Sequence, residues 1–380
     1  MHIIPSKIKQ QREADYLNKY ATLSAKSKGR IIPEVDCRIR NPFERDVGRI
    51  LYSVDFRRLR QKTQVFFNPR NDHICTRMEH VLYVNYIAST IGKALNLNAD
   101  LIEAISLGHD IGHAPFGHTG EKELQSCLEK YNADFSFQHE LHSLRVVDIL
   151  SRRKADQYGL NLTFEVRDGI VSHCGEKYSE YVLRPKREKT EAELIPGAKF
   201  HELPATLEGC IVRMADKIAY VGRDIEDGAR AGLMSFSALP ASIKTELGST
   251  NGEIINTLVE DIIEHSYGND AIVLSIEKGQ AMEELLNSNL RHIYLSDRIQ
   301  RYDYTVRNVV QGLFEIFLEF AVDPEKLASE AQYNMMFRNF FDYLEKHPEK
   351  DASALRKVTD YIAGMTDHFA QECFEQIFQI

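Results

Sequence analysis

Apolar side chains recur every three and four residues along almost the whole chain, and strict alternation is scarce. That spacing keeps them on one face of a helix, whereas a half-buried strand needs a period of two. "NPFERDVGRILYSVDFRRLRQ" opens with Asn41 as a cap and Pro42 in the first turn, and aligns Phe43, Val47, Ile50, Leu51 and Val54. "HVLYVNYIASTIGKALNL" aligns Val81, Val84, Ile87, Ala88, Ile91 and Leu95. Asn98 then caps "ADLIEAISLGHD", which is apolar on most sides and is predicted to be a buried helix. "TLEGCIVRMADKIAYVGRDIEDGARAG", "YTVRNVVQGLFEIFLEF" and "ALRKVTDYIAGMTDHFAQECFEQIF" carry the same period. Only "TQVFFNP" and "DAIVLSI" read as strands, so the fold class is all-α with at most a small β-hairpin. "YVLRPKREKTEAELIPGAKFHELP", from Tyr181 to Pro204, breaks the pattern and reads as a mobile loop over or beside a site.

Composition narrows the setting. The chain has 380 residues, enough for one large core or two linked ones, and 47 basic against 56 acidic residues give a net charge of −9. An acidic total provides no general attraction to nucleic acid or anionic lipid, so an anionic substrate must meet a local cluster of Arg and Lys. Nucleic acid as a partner is left open. The six cysteines form no Cys-x-x-Cys pair, which suits a reducing compartment. No stretch has the length of a membrane span and the N-terminus lacks a signal-peptide core, so a cytoplasmic protein without a membrane role is expected.

Seven of the fourteen histidines lie between His73 and His142, and "SLGHDIGHAPFGHTGE" carries three of them with Asp110 and Glu121. His109 and Asp110 adjoin at the end of the predicted buried helix, about a hundred degrees apart around its axis, close enough to hold one ion. His80 lies one helix earlier. Asp216 is a lone acid on the apolar face formed by Ile211, Val212, Met214, Ala215, Ile218 and Ala219. Two imidazoles and two carboxylates suit a divalent transition metal or magnesium. A single buried His or Asp is more often a hydrogen-bonded structural residue; the ordered set His…His-Asp…Asp on a helical chain is what favours ligation. His118 and Glu121 share a helix face, as a catalytic imidazole with its carboxylate partner or as a first-turn dipole pair. Arg57, Arg58, Arg60 and Lys62 crowd a helix end, where cations are favourable for structural reasons alone.

His80, His109–Asp110 and Asp216 resemble the metal motif of the HD phosphohydrolase superfamily. "RNPFERDVGRILYSVDFRRLRQKTQVF", "TRMEH", "GHDIGHAPFGHTGE" and "VTDYIAGMTDHFA" together resemble the deoxyguanosinetriphosphate triphosphohydrolase (dGTPase) family, over blocks from near residue 40 to near residue 370. The resemblance implies an HD-domain helical fold with additional C-terminal helices. Residues 1–39 would be an N-terminal extension and 40–235 the catalytic core. Residues 236–380 would complete the site and contribute an oligomer interface.

The resemblance also implies hydrolysis of deoxynucleoside triphosphates to the nucleoside and inorganic triphosphate, by water attack at the α-phosphorus. One divalent cation (Mn, Mg, Fe, Co, Ni or Zn) would be held by His80, His109, Asp110 and Asp216. His118 becomes the catalytic histidine with Glu121 as its partner, and His139 a further active-site histidine. His113, four residues after His109, would touch phosphate or support the ligands. Arg77 and Lys217 would face phosphate. Gln64 and Val65 would touch the deoxyribose, with Tyr220 and Asp224, which continue the helical face of Asp216, and Tyr302 completing the sugar pocket. A homo-oligomer and an activating nucleotide belong to the same expectation. The chain departs from the family with His368 where Arg is usual and Ala114 where Pro is common. The alternatives are another HD phosphohydrolase, acting on a nucleoside monophosphate, a cyclic nucleotide or an alarmone, and a non-catalytic nucleotide sensor.

Overall fold

The computed structural model describes residues 4–64, 75–155, 157–174, 179–194 and 202–378. Helices dominate. Among the described residues the strands are four short segments in two antiparallel pairs: β1 (Arg152–Lys154) with β2 (Gln157–Tyr158), and β3 (Val182–Leu183) with β4 (Ile272–Val273). "DAIVLSI" supplies β4, as its alternation predicts. "TQVFFNP" falls mostly outside the described residues; its first residue, Thr63, bridges Thr76.

Helix α1 (Pro42–Leu51) begins as its sequence requires: the Asn41 side chain accepts the Glu44 N–H, and Glu44 accepts the Asn41 N–H in return. The apolar stripe does not continue as one helix to Val54. Ser53 accepts the Phe56 N–H and starts a new short helix, so Val54 is left exposed. Helix α2 (Arg77–Ala94) is opened by a reciprocal pair between Thr76 and Glu79, which puts His80 one turn inside. Helix α3 (Ala99–Gly108) is capped by Asn98 and, apart from its first turn, is nearly all buried. It packs against α1, α2, α6 (Phe164–Val171) and α7 (Leu207–Val221). Helices α4 (Gly117–Lys130) and α5 (His139–Arg145) lie between α3 and α6 in sequence.

The apolar interior has two bodies. The larger includes Phe43, Ile91, Ile105, Ile170, Ile211 and Leu285. The second brings Ala114, Phe116, Leu124 and Phe137 together with Val310, Phe317, Phe340, Ile362 and Cys373. The histidine-rich segment is therefore packed by the C-terminal helices α8 (Asp297–Val322), α9 (Ala354–Ala363) and α10 (Asp367–Phe378).

Two buried acids of "TDYIAGMTD" tie these bodies together. Asp360 accepts from Arg145 Nε at 2.8 Å and Nη2 at 2.6 Å. Asp367 accepts the backbone N–H groups of Thr63 and Phe116, each at 2.9 Å. Phe116 holds φ +64°, a left-handed backbone that a bulky residue adopts only when its surroundings enforce it. The turn between α3 and α4 needs glycine at 112 because it lies against α5: a Cβ there would lie 2.2 Å from the Ser143 nitrogen. Arg145→Met is expected to cost about 3–5 kcal/mol, because the Asp360 carboxylate stays buried without its guanidinium, with only the 3.3 Å approach of His347 and the 3.8 Å approach of His142 left beside it. A fall in urea midpoint at constant slope would measure it; an unchanged midpoint would show that the pair holds nothing.

The described residues 181–194 of the segment Tyr181–Pro204 are not the free loop its sequence suggests, and 195–201 lie outside the described residues. β3 joins the first stretch to β4, and Lys189, fully buried, donates to Asp168 at 2.8 Å. Among the described residues no helix is long and apolar enough to cross a membrane.

Candidate metal and phosphohydrolase site

His80, His109, Asp110 and Asp216, drawn from α2, the end of α3 and α7, converge at one place. His80 Nε2 lies 2.8 Å from Asp216 Oδ1, and His109 Nε2 lies 3.8 Å from both Asp216 Oδ1 and Asp110 Oδ2. The His109 Nδ1–H donates to the Ser106 carbonyl at 2.7 Å, which leaves the Nε2 lone pair facing the carboxylates. That Nε2 is buried and makes no hydrogen bond among the described residues. Ligand atoms of His80, His109 and Asp110 lie within 4.8 Å of one another, as do those of His109, His173 and Asp216. The donor set, neutral imidazole with carboxylate, fits a divalent cation.

Burial pushes the Asp110 carboxyl up, but the Arg77 guanidinium and the surrounding imidazoles outweigh it and hold it well below the usual range. Asp216 is likewise lowered, its burial outweighed by His80 and His109. Burial lowers His109, so both acids are ionised and this imidazole is neutral near pH 7. Arg77 Nη1 donates to Asp110 Oδ2, so the cation expected to face phosphate also holds a candidate ligand.

Beside this cluster lies a second group of imidazoles. His118 stands at the start of α4 with its side chain 64% exposed, and its Nδ1 is 3.4 Å from Glu121 Oε2. Glu121 is closer to His139: Oε2 is 3.0 Å from Nδ1, and Oε1 accepts the His139 backbone N–H at 2.8 Å. The carboxylate paired by spacing with His118 is thus shared, with its better hydrogen bonds going to α5. Burial alone would lower His139; Glu121 and Cys174 outweigh it and raise it well above the ordinary value. His113 stacks on His139 with centroids 4.5 Å apart and is lowered by burial and by Arg77.

The other expected residues are distributed around these groups. Gln64 follows the Thr63–Asp367 tie, and its backbone N–H donates to the Cys75 carbonyl. Val65 and His73 lie outside the described residues. Lys217 is fully buried on α7 next to Asp216, and Tyr220 is partly buried one turn on. Asp224 is buried and accepts from Tyr294 Oη at 2.6 Å. Tyr302, on α8, packs against the second core body. Lys62, grouped by sequence with helix-end cations, is buried and donates to the His113 and Ala363 carbonyls, a tie between the histidine segment and α9. His142 is buried in helix packing near Asp360.

Sequence reasoning missed His173. It ends α6 as His109 ends α3: each Nδ1–H donates to a carbonyl three residues earlier, Ile170 for His173. A lone His-Cys at the end of an apolar helical run was the available signal. Tyr294, the partner of Asp224, carried no such signal.

Burial raises the Asp224 carboxyl to about 7. A raised acid lowers folded-state stability as pH climbs from its unfolded value near 4 through 7. In metal-free protein, Asp224→Asn is expected to remove that penalty and stabilise by roughly 2–4 kcal/mol at pH 8, with little effect at pH 4. Melting temperatures at the two pH values measure it; equal shifts at both would contradict this reading.

The helical architecture and the His/Asp cluster define an HD-type phosphohydrolase. An HD domain model matches residues 77–221, from Arg77 at the start of α2 to the end of α7, and a phosphohydrolase-associated domain model matches 272–376. The chain belongs to the family of deoxyguanosinetriphosphate triphosphohydrolase-like proteins. It is 37% identical over 373 residues to the protein of that description from Desulfatibacillum aliphaticivorans, covering 97% of this chain and 96% of that one. With that of Caldanaerobacter subterraneus subsp. tengcongensis the identity is 38% over 371 residues, covering 98% and 95%. With that of Azoarcus sp. it is 33% over 404 residues, covering 97% and 98%. A solved HD domain, that of the L. monocytogenes phosphodiesterase PgpH in complex with cyclic-di-AMP, covers 57% of this chain and 91% of its own at 16% identity. Its TM-score is 0.26, too low to define a shared arrangement.

Proposed function

We propose that this protein hydrolyses deoxynucleoside triphosphates to the deoxynucleoside and inorganic triphosphate. The observation that carries the reading is the convergence of His80, His109, Asp110 and Asp216 beside the His118–Glu121–His139 group. Full-length likeness to dGTPase-like proteins supports the substrate class. A divalent cation at the four-residue cluster supplies electrophilic stabilisation of the charge that develops on the phosphoryl oxygens.

The chain's own groups divide the remaining work. A triphosphate carries about four negative charges near neutral pH, and Arg77 and Lys217 are the cations proposed to meet it. Water oxygen bonds to the α-phosphorus and gives up a proton to solvent, the bond from phosphorus to the 5′-oxygen breaks, and the water oxygen stays with triphosphate. The departing 5′-alkoxide needs a proton, which His118 delivers from its exposed position on α4. Glu121 orients His118 and His139 together. Gln64, Val65, Tyr220, Asp224 and Tyr302 hold the sugar, and a wall there rejects a 2′-hydroxyl by volume and by leaving it unpaired.

Incubation with each dNTP and rNTP plus manganese or magnesium, with products resolved by chromatography, tests the reading. Deoxynucleoside and triphosphate are expected from dNTPs alone. Monophosphate with pyrophosphate, or turnover confined to monophosphates or cyclic nucleotides, would replace it with a different HD phosphohydrolase.

A further inference from the structure

A cavity of about 500 Å3 lies along the seam of the two apolar bodies, with Val146 and Leu150 from one and Tyr343, Tyr361 and Phe369 from the other. That volume is within the range of small-molecule sites, about 300–1,000 Å3, which favour the junction between packed units. Its walls carry polar atoms that the chain leaves unused. Tyr343 Oη, Tyr361 Oη and His142 Nε2 are each buried without a hydrogen-bond partner among the described residues, and His142 as a whole is 4% exposed. Burial raises both phenols, and the Arg58 guanidinium, itself on the wall, opposes that push at each, so both hydroxyls lie toward the cavity. Buried polar groups are rarely left unpaired, and three on one wall point to an occupant that pairs them.

The charges on the wall argue against a polyanion. Arg58, Arg152 and Lys346 are matched in number by Asp55, Asp342 and Asp360. Arg58 Nη1 donates to Asp55 at 3.1 Å, Lys346 lies 3.6 Å from Asp342, and Asp360 is held by Arg145. Among the described residues of the wall no cationic surplus is left, and a triphosphate, with about four negative charges, needs one. Aromatic rings supply the remaining character. Those of Tyr343 and Tyr361 are 4.9 Å apart, and Tyr343 meets His347 at 5.4 Å. Such a wall takes a flat heterocycle by stacking, and hydroxyl and imidazole atoms pair with its ring nitrogens and carbonyls.

We propose that this cavity binds an uncharged purine or pyrimidine nucleoside, and that the occupant braces the histidine turn. Gly364, Met365 and Thr366, the loop between α9 and α10, form part of the wall. The residues on either side of that loop reach the turn. The Ala363 carbonyl accepts from Lys62, which also holds the His113 carbonyl, and Asp367 accepts the Phe116 N–H at 2.9 Å. A ligand packed against the loop therefore favours the arrangement in which the turn before His118 is held. The hydrolysis proposed above releases such a nucleoside. Its description as the reaction's own product rests on that reading, whereas the cavity and its chemistry do not.

Photo-cross-linking of metal-free, full-length protein with 5-iododeoxyuridine, mapped by peptide mass spectrometry, tests the site without turnover. Cross-links are expected on the segments carrying Tyr343, Tyr361 or Phe369. Thymidine should compete, and dTTP should compete at least about tenfold more weakly, because its charge would be desolvated without a partner. The double variant Tyr343→Phe with Tyr361→Phe removes two hydroxyls and keeps both rings. Its cross-linking should fall by roughly tenfold or more, and it should melt no lower than wild type, since neither hydroxyl has a protein partner to lose. Thymidine should also slow hydrogen exchange at the Phe116 amide by roughly threefold or more in wild type but not in the double variant. No cross-link, cross-links confined to the segments carrying Gln64 or Tyr220, equal competition by dTTP, full labelling of the double variant, or unchanged exchange at Phe116 would overturn the proposal. Failure of these measurements leaves the dNTP assay untouched, and failure of that assay removes only the ligand's description as product.

Discussion

His118→Ala is expected to lower kcat by roughly 10²–10⁴-fold while metal content stays at the wild-type level. The imidazole is 64% exposed, and its Nδ1 approaches Glu121 Oε2 at 3.4 Å. Its removal leaves Glu121 bonded to His139 at 3.0 Å and the four-residue cluster intact. Stability should change by less than about 0.5 kcal/mol, as for most surface substitutions. Rate, elemental analysis and thermal melting together separate a lost proton donor from a damaged site. Wild-type turnover in this variant would remove His118 from the chemistry and leave His139 as the proton-transfer candidate.

Asp110→Asn should have the larger structural effect. It replaces a carboxylate that bonds Arg77 and faces His109, His139 and His173. Metal affinity is expected to fall by at least about 10²-fold, more than for loss of an outer-sphere partner, and turnover should reach background. The Arg77 guanidinium, buried on α2, then lacks its carboxylate, at a cost of about 3–5 kcal/mol. The double variant Arg77→Met with Asp110→Asn separates the two effects: much of the lost stability should return while metal and turnover stay absent. Metal retention in either variant would show that Asp110 is not a ligand.

The larger helices and several of their caps were legible in the sequence. Asn41, Pro42 and Asn98 act where local hydrogen bonding predicts, because a cap satisfies donors within three residues of itself. The His109–Asp110 pair was legible because both residues sit on one helix end. Convergence of His80 and Asp216 on that pair is long-range, and the ordered His…His-Asp…Asp set pointed to it only through family resemblance. The break at Ser53 was readable in principle, but the continuing apolar period concealed it.

Other features had no local signature. The sharing of Glu121 between His118 and His139 depends on how α4 and α5 meet. The anchoring of residues 181–194 depends on a strand about 90 residues downstream and on the buried Lys189–Asp168 pair. His173 reads as an isolated histidine until α6 is laid beside α3.

The sequence by itself determined the helical class, several helix starts and the adjacent His109–Asp110 pair, because periodicity, capping and side-chain chemistry act within a few residues. Only the tertiary structure decided which carboxylate oxygen faces which imidazole, that Asp110 looks toward two groups of donors, and that the last helices hold the histidine turn in place. Those depend on contacts between residues far apart in the chain, whose geometry is fixed by how whole helices pack rather than by any local preference.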